Sequence, residues 1–208
     1  MNTSVSRAKL EPGLSNFWQT LHDTERLALH AAIYTWTAAQ LQPGWVLDLG
    51  CEYGFGSLLL AEANPGLQVL GADLDFTALG YSQELSFKDG FPWVNAGAHE
   101  LPVASGSLDG VCLVNLLHLA ESPDLVLSEV WRALKPGGLA VLSIPRPASG
   151  ETAQDTSLCI EWLDALINVL FSEVTYPEKI CGQLSSFPPQ TFQLGQQASV
   201  WLACCHKN

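Results

Sequence analysis

Residues 46–57 read Val46-Leu47-Asp48-Leu49-Gly50-Cys51-Glu52-Tyr53-Gly54-Phe55-Gly56-Ser57. A short apolar run carries one carboxylate and breaks into a glycine-rich turn, and Leu58, Leu59, Leu60 and Ala61 follow at once. That order reads strand, turn, helix, the opening of a βαβ unit able to hold a nucleotide-like ligand. Glycine has no Cβ to collide with an approaching ligand, and the helix that follows directs its first N–H groups back toward it. A second acidic residue, Asp73, ends the next predicted strand, at about the separation where such units set a carboxylate on ribose hydroxyls.

The glycine spacing discriminates between cofactors. A dinucleotide site asks for G-x-G-x-x-G. Counted from Gly50, the second and third positions hold Glu52 and Phe55; counted from Gly54, Gly56 fits but Leu59 takes the third. Neither frame works, which disfavours a nicotinamide dehydrogenase. The stretch instead resembles motif I of the class I S-adenosylmethionine (SAM) methyltransferases, D-x-G-x-G-x-G. Asp48, Gly50 and Gly54 match, and Glu52 stands where the middle glycine would be.

Composition narrows the partners. The 208 residues are enough for one domain with a sizeable core, and 48% hydrophobic residues with seven Trp argue against disorder. Net charge is -12 and Lys plus Arg number nine, without the clusters that neutralise phosphates. Nucleic acid and anionic membranes are thereby disfavoured as partners. No apolar run approaches the roughly 20 residues of a membrane span, and Met1 to Pro12 lacks the apolar core of a signal peptide. Cysteines at 51, 112, 159, 181, 204 and 205 mostly lie in apolar stretches and read as buried thiols of a reducing, cytoplasmic compartment. Paired C-x-x-C spacing is absent, so no metal site is expected. Adjacent Cys204 and Cys205 would point to opposite faces of a strand.

Read in order, the chain is a single domain over 1–208: an N-terminal helical part, 1–44, covering a cofactor cleft, and a core over 45–208. Helical character from Ser15 to Leu41, with Asp23 as a cap, ends at Pro43-Gly44. Trp18, Tyr34 and Trp36 there read as packing residues, or as part of a lid. Predicted strands at Trp45–Gly50, Gln68–Leu74, Phe91–Asn95, Leu108–Asn115 and Leu139–Ile144 alternate with predicted helices at Phe55–Ala63, Phe76–Leu85 and Pro123–Leu134. A further helix capped by Asp155 or Thr156 carries Ile160, Leu163, Ile167 and Leu170 on one stripe. Strands at Glu173–Ile180 and Ser199–His206 close the chain as an antiparallel pair around Phe187-Pro188-Pro189. The fold expected is α/β: a Rossmann-like seven-stranded, mainly parallel sheet with one antiparallel strand near the C-terminus and helices on both faces.

Four further stretches extend the resemblance. His99-Glu100-Leu101-Pro102-Val103, Ser107-Leu108-Asp109, Asn115-Leu116-Leu117-His118-Leu119 and Arg132-Ala133-Leu134-Lys135-Pro136-Gly137-Gly138 look like the ordered signatures of the methyltransferase type 11 group. With motif I the likeness runs from about 46 to 145. It implies SAM as the cofactor and roles for particular residues. Asp48 would contact the cofactor's amino-acid end, or accept from N–H groups of the turn. The backbone of Gly50 and Cys51, with Gly54, would line the methionine moiety. Asp73 would accept from the ribose hydroxyls and Leu74 cover the adenine. Ala98 would meet the adenine edge, with His99 beside it, and Asn115 lies at the ligand-binding end of strand four. His118 is the candidate general base, or else a packed histidine with no proton role.

Two departures stand out. Glu52 either is merely accommodated or faces the cofactor's positive charge, and Gly97 replaces a commonly acidic residue that would accept from the adenine amino group. The expectation is methyl transfer to a small-molecule acceptor, in an oligomeric state the sequence leaves open. The alternative, motivated by Glu52 and Gly97, is a non-catalytic SAM-fold scaffold.

Overall fold

The computed structural model describes residues 24–85, 91–145, 160–182, 190–193 and 200–208. Helix α1 spans Thr24–Gln40, β1 Gly44–Leu49, α2 Phe55–Ala63, β2 Leu67–Asp73, α3 Phe76–Leu85, β3 Trp93–Asn95 and β4 Leu108–Val114. A 3-10 turn at Leu117–Leu119 leads to α4 Pro123–Ala133, β5 Leu134–Pro145 and α5 Ile160–Leu170. β6 Glu173–Thr175, β7 Lys179–Gly182, β8 Gln190–Gln193 and β9 Val200–His206 follow. The expected helical start at Ser15, Trp18, the Asp23 cap, the Asp155 or Thr156 cap and the Phe187-Pro188-Pro189 connection lie outside the described residues.

Seven strands form one sheet in the order β3-β2-β1-β4-β5-β9-β6. β3, β2, β1, β4 and β5 run parallel, and β9 pairs antiparallel with both β5 and β6. The expected mainly parallel sheet with one reversed strand is therefore present. Strand alternation divides the core in two. Leu47, Leu49, Val111, Leu113, Ala140, Leu142, Ala203 and Cys205 face α4 and α5. Val46, Val69, Cys112, Val114, Val141, Leu202 and Cys204 face α1 and α2. Both faces are covered, which is why β4 reads as a continuous apolar run. Cys204 and Cys205 fall into opposite cores, as adjacent strand residues must.

Two details depart from the sequence-based expectation. The strand expected over Glu173–Ile180 is divided at Pro177. β6 joins the main sheet, while β7 pairs with β8 in a separate two-stranded sheet. Proline has no N–H to give to a ladder. The expected turn at Lys135-Pro136-Gly137-Gly138 lies inside the span of β5. Register passes from Leu108↔Leu134 to Gly110↔Leu139, so these four residues bulge opposite Asp109. Gly137 takes φ 79 in the bulge, and Gly137 N–H and Gly138 C=O bond the backbone of Lys207.

The type 11 signatures prove to be clamps between elements. Arg132 on α4 donates to Glu129, to the carbonyls of Leu101 and Val103 and to the Ser105 hydroxyl, and Glu129 accepts from Leu101 N–H. The loop carrying His99 to Val103 is thus tied to α4. Lys135 donates to both oxygens of Asp109, whose Oδ2 also accepts from Trp45 N–H at the start of β1. Replacing Arg132 with Ala strands two carbonyls and Glu129, so unfolding in urea is expected to show a loss of about 2–4 kcal/mol. Arg132→Lys is expected to recover only part, because an ammonium lacks the planar fork.

Candidate functional site

The strand order reverses between β1 and β4, and ligands of such open sheets bind beyond the strand ends at that switch point. The glycine turn rises there from β1. Gly50 has φ 79, and a Cβ on it would lie 2.9 Å from Leu116 Cδ1, so its bareness lets the end of β4 close against the turn. Gly54 takes the left-handed conformation, φ 76, immediately before α2. A Cβ there would lie 2.3 Å from the Trp93 indole, which also covers Gly71 on β2.

Glu52 has φ 47, one of two positive-φ non-glycine residues among those described. This explains why a glycine suits the position: the left-handed region costs an L-residue about 1–2 kcal/mol. Glu52 is held there by its backbone. Its N–H donates to Asp73 Oδ2 at 2.8 Å and its carbonyl accepts from the Ser82 hydroxyl at 3.1 Å. Burial and then the nearby Asp73 and Asp75 raise its carboxyl above the usual carboxylate range.

Asp73 ends β2. Oδ2 takes the Glu52 N–H and Oδ1 takes the Asp75 N–H, at 2.8 Å each. A carboxylate oxygen has two lone-pair sites, so each retains one acceptor site. Leu74 follows, 76% exposed, with its carbonyl and that of Asp73 held by the Asn95 amide. Ala96 N–H also donates to the Asp73 carbonyl, which leads the chain to Ala98 and exposed His99. A Cβ built on Gly97 meets nothing within 4 Å, so the space an acidic side chain would fill is open.

Asp48 is fully buried. Its Oδ1 accepts from the Tyr34 hydroxyl at 3.0 Å and its Oδ2 from the Ser57 hydroxyl at 2.6 Å. Among the described residues its donors are these two side-chain hydroxyls rather than N–H groups of the turn. Period-two alternation sets Asp48 on the α1/α2 face with Val46, between those hydroxyls. Burial pushes its carboxyl up to about 6, against the two hydroxyl bonds that lower it. The N–H groups of Gly50 and Cys51 both donate to the Ala72 carbonyl and Cys51 C=O accepts from Gly54 N–H, so these groups shape the turn itself.

Asn115, at the end of β4, has φ 56. Its N–H and Oδ1 bond Ser143 on β5. Strained residues of this kind gather at functional sites. One turn on, Leu117 is fully buried and anchors the 3-10 turn. His118 is half-buried; its Nδ1 is shielded from solvent and has no hydrogen-bond partner among the described residues. Burial lowers its pKa below the usual histidine value.

The structure thus joins Gly50, Cys51, Glu52, Gly54, Asp73 and Leu74 in one bonded unit and sets Asn115 and His118 on the neighbouring strand end. Ser57 and Trp93 were given no site role by sequence reasoning, and Tyr34 was read as a packing or lid residue and only a weak candidate base, not as a partner of Asp48. Tyr34 and Trp93 lie far from the motif, and nothing in their local patterns points to it.

Parallel strands, a glycine turn at the switch point and a carboxylate on the second strand define a nucleotide-cofactor-binding α/β protein. Residues 47–142 match the family model described as a methyltransferase domain. The fatty-acid O-methyltransferase of Mycolicibacterium smegmatis is 32% identical over 117 residues, 55% of this chain and 43% of that protein. The demethylmenaquinone methyltransferase of Thermus thermophilus is 32% identical over 116 residues, 54% of this chain and 53% of that protein. The chain therefore spans about half the length of these relatives. Among solved structures, the N-methyltransferase NodS of Bradyrhizobium japonicum, in complex with S-adenosyl-L-homocysteine, superposes with a TM-score of 0.64 at 16% identity. The match covers 91% of each chain. Over residues 47–142 the chain is thus similar to the methyltransferase-domain family, and that likeness points to S-adenosylmethionine as the cofactor.

The residues present fit that cofactor. Asp73 keeps an acceptor site on each oxygen, Leu74 offers an exposed apolar surface beside it, and the turn is bare of side chains at Gly50 and Gly54.

Proposed function

We infer that the chain transfers the methyl group of SAM to a small-molecule acceptor with an apolar body. The observation that carries this is the lock of Asp73 against the glycine turn through Glu52 N–H, which sets a two-oxygen acceptor at the switch point. SAM brings its own reactivity, a methyl group on a sulfonium. The protein's tasks are to hold the cofactor and keep an acceptor in line with the methyl. Asp73 would receive the ribose hydroxyls, Leu74 the adenine face and Ala98 with His99 its edge. Asn115 would border the methionine end. His118, neutral near pH 7, would take the proton of an acceptor that arrives protonated.

The acceptor class rests on two supports. The relatives above act on a fatty acid and on demethylmenaquinone, as their names state. Phe76 and Leu119, on the segments leaving β2 and β4, have exposed apolar side chains. Cys51, Cys112, Cys204 and Cys205 are free, buried thiols, which suits a reducing cytoplasm, and no helix among the described residues is long and apolar enough to cross a membrane. Radiolabelled methyl from SAM should appear on a long-chain fatty acid or demethylmenaquinone rather than on a phosphorylated amine. Calorimetry that detected neither SAM nor its demethylated product would leave the scaffold reading, which Glu52 motivates.

Glu52 provides a sharper test. Glu52→Gly is expected to stabilise the free protein by about 1 kcal/mol, by relieving the left-handed strain. Because its carboxyl is raised in the fold, the charged side chain adds to that strain as pH rises through its titration, so the variant's gain is larger at neutral pH than in acid. If Glu52 is accommodated, SAM affinity is kept or improved in this variant. If it pairs with the cofactor's positive charge, affinity falls, most at low salt. Equal affinities at every salt concentration would rule out pairing.

A further inference from the structure

Asp48 carries a charge in the apolar layer between the sheet and helices α1 and α2, and yet has no surface with which to touch a ligand. Among the described residues, two hydroxyls hold it. One belongs to Ser57 in the first turn of α2, the other to Tyr34, from a different helix and fourteen residues earlier. The fold makes room for this contact at a cost in side-chain volume. A Cβ on Gly56 would lie 2.0 Å from Tyr34 Cζ, so the phenol ring passes over α2 because residue 56 is bare. The His30 ring packs at 5.1 Å from that of Tyr34 and reaches Phe55 at 6.3 Å. Helix α1 thereby touches Phe55, Gly56 and, through Asp48, the strand end from which the turn departs.

We propose that Tyr34 is a positioning residue for cofactor binding: its hydroxyl, with that of Ser57, holds the Asp48 carboxylate ionised beneath the glycine turn. This rests on the cofactor reading above. An ionised Asp48 accepts from both hydroxyls at once and adds negative charge behind a turn that must receive a cationic cofactor. Protonated, it has one acceptor oxygen fewer and no charge. The groups facing it are Tyr34 from α1, Ser57 from α2, Cys51 and Glu52 in the turn, Asp73 from β2 and Cys112 from β4. Cys51 and Cys112 are raised well above the usual thiol range and stay neutral, whereas Glu52 can titrate in acid. Tyr34 is itself raised, by burial and by Asp48, and remains a donor.

The test is SAM affinity by calorimetry from pH 5 to 9, with tyrosine replaced by phenylalanine so that the ring still covers Gly56. In the unaltered protein, affinity is expected to weaken as pH falls through about 6, where Asp48 takes up a proton. Tyr34→Phe removes a bond that favours the charged form, so its midpoint moves upward. A shift of about one unit makes the variant nearly tenfold weaker at pH 5.5 and almost equal at pH 8.5. Ser57→Ala is expected to shift the same way, and Asp48→Asn to abolish the acid limb.

A packing defect would weaken binding at every pH, and that result for Tyr34→Phe would overturn the proposal. So would an unmoved midpoint in both hydroxyl variants, or an acid limb that persists in Asp48→Asn, which would belong to Glu52. If the unaltered protein bound no SAM, the cofactor reading and this proposal would fall together. Normal binding there with an indifferent Tyr34→Phe would strike the proposal alone.

Discussion

His118→Ala is expected to lower turnover by about 10²–10⁴-fold, the usual contribution of a positioned general base, while SAM affinity changes by no more than a few-fold. The expectation comes from what surrounds the ring. Leu117 is fully buried and fixes the turn just beyond β4, leaving His118 half-buried with one ring nitrogen shielded and, among the described residues, unpartnered. Such a nitrogen costs free energy unless something else bonds to it. Burial holds the pKa below the ordinary histidine value, so the ring is a free base throughout the neutral range. Turnover at saturating SAM should therefore rise with pH through a midpoint below about 6.5 and then level off. The alanine variant should lack that limb. Saturation separates this limb from the one expected for Asp48, which appears in SAM affinity. The measurement uses whichever acceptor of the fatty-acid and quinone panel is methylated. Full turnover in the variant would leave His118 a packing residue and the enzyme working by alignment alone.

Asp73→Ala is expected to weaken SAM and S-adenosylhomocysteine alike, by about tenfold or more. One lost hydrogen bond to a charged group is worth roughly 1.5–3 kcal/mol, and tenfold corresponds to about 1.4. The two ligands should suffer equally, because the ribose is common to both and the sulfonium is not. The variant also frees the N–H groups of Glu52 and Asp75, so some of its effect would come through the turn. Asp73→Asn separates the contributions, since an amide keeps one acceptor oxygen but only one. Its affinity is expected to lie between those of the native protein and the alanine variant. Unchanged affinity in Asp73→Ala would remove Asp73 from the ribose role.

Both residues were singled out before any coordinates, as were the alternation of strands and helices and the glycine turn, because each belongs to a local pattern. Asp73 sits where a second strand must end, and His118 follows a strand too apolar to be anything but central. The sequence marked Glu52 as a departure without revealing its reason. That reason is a backbone angle, φ 47, which no neighbouring residue announces. The type 11 signatures were visible as a resemblance, but their work was not. Arg132 bonds residues 27 to 31 positions away, and Lys135 reaches Asp109 across a bulge. The break of the expected Glu173–Ile180 strand could have been read from Pro177, which was passed over.

By itself, then, the sequence determined the layers, the mainly parallel sheet and the glycine turn at the end of its first strand. Periodicity and glycine spacing are properties of neighbouring residues and survive without a fold. Only the tertiary structure decided what Asp48 does. Alternation along β1 already placed it opposite Leu47 and Leu49, hence toward one helical layer. Which hydroxyls met it there depended on the approach of two separate helices. Ser57 lies nine residues away on α2 and Tyr34 fourteen away on α1, in a space open only because Gly56 has no side chain. A buried charge takes its partners from whatever packs against it, and packing between distant segments is set by the whole core rather than by any local stretch.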